Sequence, residues 1–144
     1  VGQINIALLA HFIKIRKYAL KIAWSFTVAI VLLSLVPANS LTKLRCKDLV
    51  GIDKLGHLFF YGNACFFFLL GRSNDYRGWS LLFRTCLPLI LLGLLMELFQ
   101  AATLLGRSFD YFDMLANVIG VLFALILFKW NVFDFPSAQQ DLNQ

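Results

Sequence analysis

Four long apolar stretches, each meeting a polar cluster at one end, organise the chain. The first covers 18–36, YALKIAWSFTVAIVLLSLV; it follows Lys14, Arg16 and Lys17 and stops at Pro37. The second covers 54–70, KLGHLFFYGNACFFFLL, the third 81–103, LLFRTCLPLILLGLLMELFQAAT, and the fourth 112–128, FDMLANVIGVLFALILF. A helix needs about 20 residues to cross a hydrocarbon layer of about 30 Å, so the pattern predicts four membrane spans. The second and fourth are slightly short, and Phe109, Tyr111 and Trp130 would extend them into the interface. Pro88 inside the third predicts a kink or a late helix start. The tail, 131–144, is polar and is expected to be loose.

The polar positions sort by end. The second stretch opens with Asp53, Lys54 and His57, the third closes with Glu97 and Gln100, and the fourth is introduced by Arg107, Asp110, Asp113 and Asn117. Antiparallel neighbours would bring all three groups to one side of the membrane. Helical spacing puts Asp53, His57 and Tyr61 on one stripe, Glu97 and Gln100 on another, and Asp110, Asp113, Asn117 and Gly120 on a third. A charge facing lipid costs several kcal/mol, so such groups turn to a bundle interior or a wet cavity. The three stripes are therefore expected to face one another around a polar cavity beside loops 37–52 and 104–111. Gly56 and Ala116 would let the second and fourth helices approach.

Composition agrees with this reading. The chain has 144 residues, is 60% hydrophobic and has a mean hydropathy of +0.75; soluble domains average roughly 45–50% apolar. The expected fold is all-α, an integral membrane four-helix bundle forming a single domain over 1–144. A basic start, an apolar run 22–36 and Ala38-Asn39-Ser40 also have the outline of a signal peptide. The length of the run, its stop at Pro37 and the lack of a soluble stretch after it favour a span. Of the 13 Lys and Arg residues, eight fall on the side of the N-terminus and five opposite, which places both termini in the cytoplasm. Asp53-Lys-Leu-Gly-His57 and Asp113-Met-Leu-Ala-Asn117 echo each other, consistent with two tandem helix hairpins related by a pseudo-twofold. The pI of about 9.3 reflects membrane topology; no basic, aromatic groove for nucleic acid is visible.

Each polar residue also has a purely structural reading. Asp110 would cap the fourth helix, and Asp113 would sit in its first turn, favoured by the dipole. Asn117 would join helices, Lys54 would meet lipid phosphates, and His57 would be a satisfied structural histidine. Glu97 fits such a reading least, because a negative charge toward a helix C-terminus is disfavoured. Arg107 is its expected partner, with His57 and Lys54 as the other candidates. Cys46, Cys65 and Cys86 are isolated, so neither a disulfide framework nor a zinc site follows. His57, Glu97 and an aspartate have the donor types of a catalytic metal site, but their spacing fits no short motif. No metal and no cofactor are expected.

The set DKLGHLFFYG at 53–62, ELFQ at 97–100 and GRSFDYFDMLANVIG at 106–120 resembles the VanZ-like family of small bacterial membrane proteins. The resemblance runs from Asp53 through the fourth stretch. It implies the bacterial cytoplasmic membrane and an association with low-level teicoplanin resistance, without a settled mechanism. Two readings follow. In the first, a non-enzymatic envelope protein binds a lipid or cell-wall precursor headgroup at its outer face, or alters access of a lipophilic glycopeptide. Lys54 and Arg107 would hold phosphate or carboxylate, His57, Glu97 and Asp113 would orient them, and Asp53, Gln100, Asp110 and Asn117 would complete the site. In the second, an intramembrane enzyme acts on a lipid-linked headgroup. His57 would then be base or nucleophile beside Asp53 or Asp113, with Glu97 as a further acid and Arg107 stabilising charge. A proton-coupled carrier, assembled as an oligomer, is more remote. Membrane lipids are the expected partners, and no nucleic acid.

The charge count places Cys46 in an outer loop. A membrane-impermeant thiol reagent should label it in cells whose outer membrane leaflet is accessible. Labelling only after lysis would invert the topology.

Overall fold

The computed structural model describes residues 6–36, 49–73, 78–103 and 108–133. The chain is all-α, with helices α1 (Ile6–Ser34), α2 (Leu49–Arg72), α3 (Gly78–Ala102) and α4 (Tyr111–Phe133). Three segments, Ile15–Ser34, Gly78–Ala102 and Tyr111–Lys129, are long and apolar enough to cross a membrane. By length and composition this is a multi-pass membrane protein. Arg107, Cys46 and most of the loop at 37–52 lie outside the described residues, as does the tail from 134 onward.

The second expected span, 54–70, falls inside α2, which is not among those three apolar segments. Its 24 residues make it about 36 Å long, enough to cross. Its lower apolarity has a packing reason: α2 lies at the centre, with α4 along one side and α1 along another. Polar side chains such as Lys54 and His57 therefore meet protein. α1 differs from expectation in starting at Ile6, upstream of 18. Lys and Arg are good helix formers, so the basic stretch simply continues the helix.

Contacts along the helices fix their directions. Lys54 lies beside Asp113, His57 beside Asn117 and Gly62 beside Gly120, so α2 and α4 run parallel. α1 is antiparallel to α2: Arg16 donates to Ser73 Oγ at 2.8 Å, and Phe26 packs against Phe59, Phe60 and Phe67. α3 is antiparallel to both α2 and α4, with Cys86 beside Cys65 and Glu97 beside Asp110. Two antiparallel pairs, α1–α2 and α3–α4, thus join along α2 and α4. The C-terminal ends of α1 and α3 and the N-terminal ends of α2 and α4 share one side.

The α2–α4 contact is close because of glycine. A Cβ on Gly120 would lie 2.5 Å from the Leu58 carbonyl oxygen, and one on Gly62 would lie 3.2 Å from the Gly120 carbonyl oxygen. Small residues at such crossings are how membrane helices gain van der Waals contact without a hydrophobic driving force. The expectation for Gly56 is corrected: a Cβ there would meet nothing within 4 Å. The helices meet deeper in the bundle, and Gly56 is not at the crossing. Ala116 is buried.

Pro88 neither ends α3 nor delays its start, since the helix runs unbroken from Gly78. Proline cannot donate to the carbonyl four residues back, which here belongs to Arg84. Arg72 of α2 donates to that oxygen, and its guanidinium lies 4.9 Å over the Phe68 ring. A neighbouring helix thereby satisfies the freed group, as a proline inside a membrane helix requires. The buried edge of α3 is a narrow ladder, Leu81, Thr85, Leu89, Gly93, Glu97 and Gln100. Its other faces expose Leu87, Leu91, Leu95 and Leu98, a surface suited to lipid.

The contrast between glycines gives a test. Gly120→Ala should destabilise the detergent-solubilised protein by about 1–3 kcal/mol, the usual cost of overpacking, whereas Gly56→Ala should leave it unchanged or slightly more stable. Equal thermal denaturation curves for the two variants would remove the close crossing.

Candidate functional site

The site is built on the N-terminal parts of α2 and α4. Asp110 begins it. Its Oδ1 accepts from the Phe112 backbone N–H at 2.7 Å, which caps α4, and its Oδ2 accepts from Lys54 Nζ at 2.9 Å. The capping reading and the ion-pair reading are thus both realised, one on each oxygen. Asp113, one turn later, is nearly buried, and its Oδ1 receives the same ammonium at 3.1 Å. Lys54 Nζ also lies 5.7 Å over the Phe112 ring. Two carboxylates engage Lys54, because α4 presents both on the face turned to α2.

His57, one turn below Asp53 on α2, reaches across the same seam. Its Nδ1 stands 3.0 Å from Asn117 Oδ1, while Nε2 faces Asp113 Oδ2 at 3.7 Å and Asp53 Oδ1 at 3.9 Å. Tyr61 lies beneath, its ring nearly parallel to the imidazole at 6.3 Å between centroids. The echo noted between 53–57 and 113–117 is therefore a physical pairing: its two final polar residues bond to each other between parallel helices.

α3 contributes Glu97, which is fully buried and accepts the Asp110 backbone N–H at 3.2 Å on Oε2. This places its carboxylate at the N-terminal end of α4, where the positive end of that helix dipole offsets the unfavourable end of its own. The expected pair with Arg107 lies outside the described residues. Gln100, on the same ladder, turns elsewhere. Its Nε2 donates to the Ser34 carbonyl at 3.0 Å and ties α3 to α1.

Asp53, Lys54, His57, Asp110, Asp113 and Asn117 thus come together directly, with Glu97 joined through the Asp110 backbone. They meet by hydrogen bonds and ion pairs. Sequence reasoning missed Gly93, whose absent side chain makes room for the site: a Cβ there would lie 2.8 Å from Asn117 Nδ2 and 3.4 Å from Tyr61 Cε1. Its signal was available, since Gly93 stands four residues before Glu97 on one face. It also missed the thiols of Cys65 and Cys86, whose sulfurs are 3.8 Å apart between α2 and α3. No spacing rule reveals that proximity. No protein-family model, curated protein or solved structure matches the chain.

The Lys54 hydrogen bond, followed by the Phe112 N–H, holds the Asp110 carboxyl below its ordinary value of 3.8. A lowered folded-state value means that Asp110 favours folding above that ordinary value. The benefit is lost as pH falls through the lower folded one. The melting temperature of the wild type should fall on acidification from about pH 5 to pH 2, and Asp110→Asn should shrink that fall. An unchanged acid limb in the variant would argue against the pair.

Proposed function

We propose that this chain is a VanZ-like envelope protein of the bacterial cytoplasmic membrane, which binds the polar headgroup of a lipid or cell-wall precursor at one end of its bundle. Through that binding it would take part in glycopeptide (teicoplanin) resistance. The observation that carries the reading is the Lys54–Asp113–His57–Asn117 seam. Four of the residues on which the family resemblance rests, spread over some sixty positions of the chain, meet there across α2 and α4. A bundle sealed elsewhere by Phe and Leu has no structural need for so many ionisable groups at one place, and such groups within membrane helices ordinarily mark a ligand or ion path.

In this reading Lys54, together with Arg107, supplies positive charge for a phosphate or carboxylate. Asp53, exposed at the mouth, and Asp113 accept from hydroxyl or amine groups of the same headgroup. The eight-to-five distribution of Lys and Arg puts this end on the outer face. The alternative, an intramembrane enzyme with His57 as base, is favoured less. Nδ1 of His57 is taken by Asn117 and Nε2 is turned to carboxylates, so neither nitrogen is directed at a substrate.

Native mass spectrometry of the detergent-purified full chain tests the proposal. The wild type should retain a phosphate-bearing lipid or precursor. Lys54→Gln should lose most of it, and His57→Gln should keep part. An identical set of retained lipids in wild type and Lys54→Gln would overturn headgroup binding at this site.

A further inference from the structure

We infer that Asp53, His57 and Asp113 form a binding site for one divalent transition-metal ion. One donor atom from each lies within 4.8 Å of the others. Two residues come from one turn of α2 and the third from the facing turn of α4, so the set exists only because the helices run parallel. The inference goes beyond headgroup binding and stands without it.

Three features of the geometry carry it. The first is the direction of the imidazole. With Nδ1–H donating to Asn117 Oδ1 at 3.0 Å, a neutral ring would present a lone pair at Nε2, which faces two carboxylate oxygens. Such an arrangement is repulsive unless positive charge joins the three atoms. A hydrogen bond to a side chain on its other nitrogen is also the arrangement that fixes the tautomer of a metal-bound histidine.

The second is distance. Nε2 stands 3.7 Å and 3.9 Å from the two oxygens. Both exceed the roughly 2.7–3.2 Å of an N–H···O bond, so a proton on Nε2 bridges them poorly. A metal ion bonded at about 2.0–2.2 Å to each of two donors spans about 4 Å between them. Slight rotation of the exposed Asp53 side chain would complete the set.

The third is the way Asp113 is shared. Asp113 can serve both cations at once, with Oδ1 on Lys54 and Oδ2 toward the metal. Lys54 then acts as an outer partner that orients the carboxylate. One nitrogen and two carboxylate oxygens suit zinc, manganese, iron(II) or cobalt better than a soft, thiolate-seeking ion. Three protein ligands leave a coordination position open.

The experiment is cobalt(II) titration of the purified full chain in detergent after chelation, followed by d–d absorption and calorimetry. One Co2+ per chain should bind, and Zn2+ should displace it. Asp53 is exposed, so Asp53→Asn should fold normally yet weaken binding at least about tenfold, and Asn117→Ala should weaken it about 10–100-fold through the histidine. Equal affinity in wild type and Asp53→Asn would overturn the site. So would a nitrogen-15 spectrum showing both His57 nitrogens protonated at neutral pH, with and without added Co2+. Loss of metal binding in the wild type alongside retained phosphate lipid would sink this inference and leave the headgroup reading intact. Metal uptake without lipid would do the reverse.

Discussion

The close parallel contact of α2 and α4 is the constraint from which the rest of the structure follows. Gly120 lets the two backbones approach until a methyl group would strike the Leu58 carbonyl. In a membrane, packing of this kind replaces the hydrophobic force that would hold the helices together in water. The contact also sets the register. With Gly62 beside Gly120, His57 must lie near Asn117, and Lys54 near Asp113. The polar seam is the consequence of an apolar fit a turn or two below it.

That seam explains how a chain so rich in Phe and Leu tolerates its ionisable groups. Each described member of the cluster is tied to another: Asp110 and Asp113 to Lys54, Asn117 to His57, and Glu97 to a backbone N–H at the start of α4. Buried charges kept in this way are weak evidence for stability, because removing them from water costs about as much as their attraction returns. Their concentration at one end of the bundle is better evidence for a site. The remaining helix faces, above all those of α3, turn leucines outward and need only lipid.

Two local solutions show the same rule at work elsewhere. The carbonyl that Pro88 leaves unpaired on α3 is answered by Arg72 from α2, and the open end of α1 is answered by Gln100 from α3 at the Ser34 carbonyl. In both cases a backbone acceptor that water would satisfy in a soluble protein is met by a side chain of another helix. Gln100, read from its sequence position as part of the ligand site, is explained by this role.

The sequence by itself determined the all-α architecture, the apolar runs at 18–36, 81–103 and 112–128, and the gathering of polar stripes at one end. Hydropathy and helical period depend on local composition, and antiparallel succession then leaves little choice about which ends meet. It also marked His57, Glu97, Asp113 and Asn117 as residues that would not face lipid. Only the tertiary structure decided who pairs with whom. It gave Lys54 to Asp110 and Asp113, turned Nε2 of His57 toward two carboxylates, and moved the close crossing from Gly56 to Gly62 and Gly120. It also set Cys65 beside Cys86 and left α2 at the centre, against both α4 and α1. Those outcomes depend on the rotation and depth of one helix against another. Such quantities are fixed by backbone clearance and side-chain reach over distances of a few ångströms, which residue spacing along a single helix does not encode.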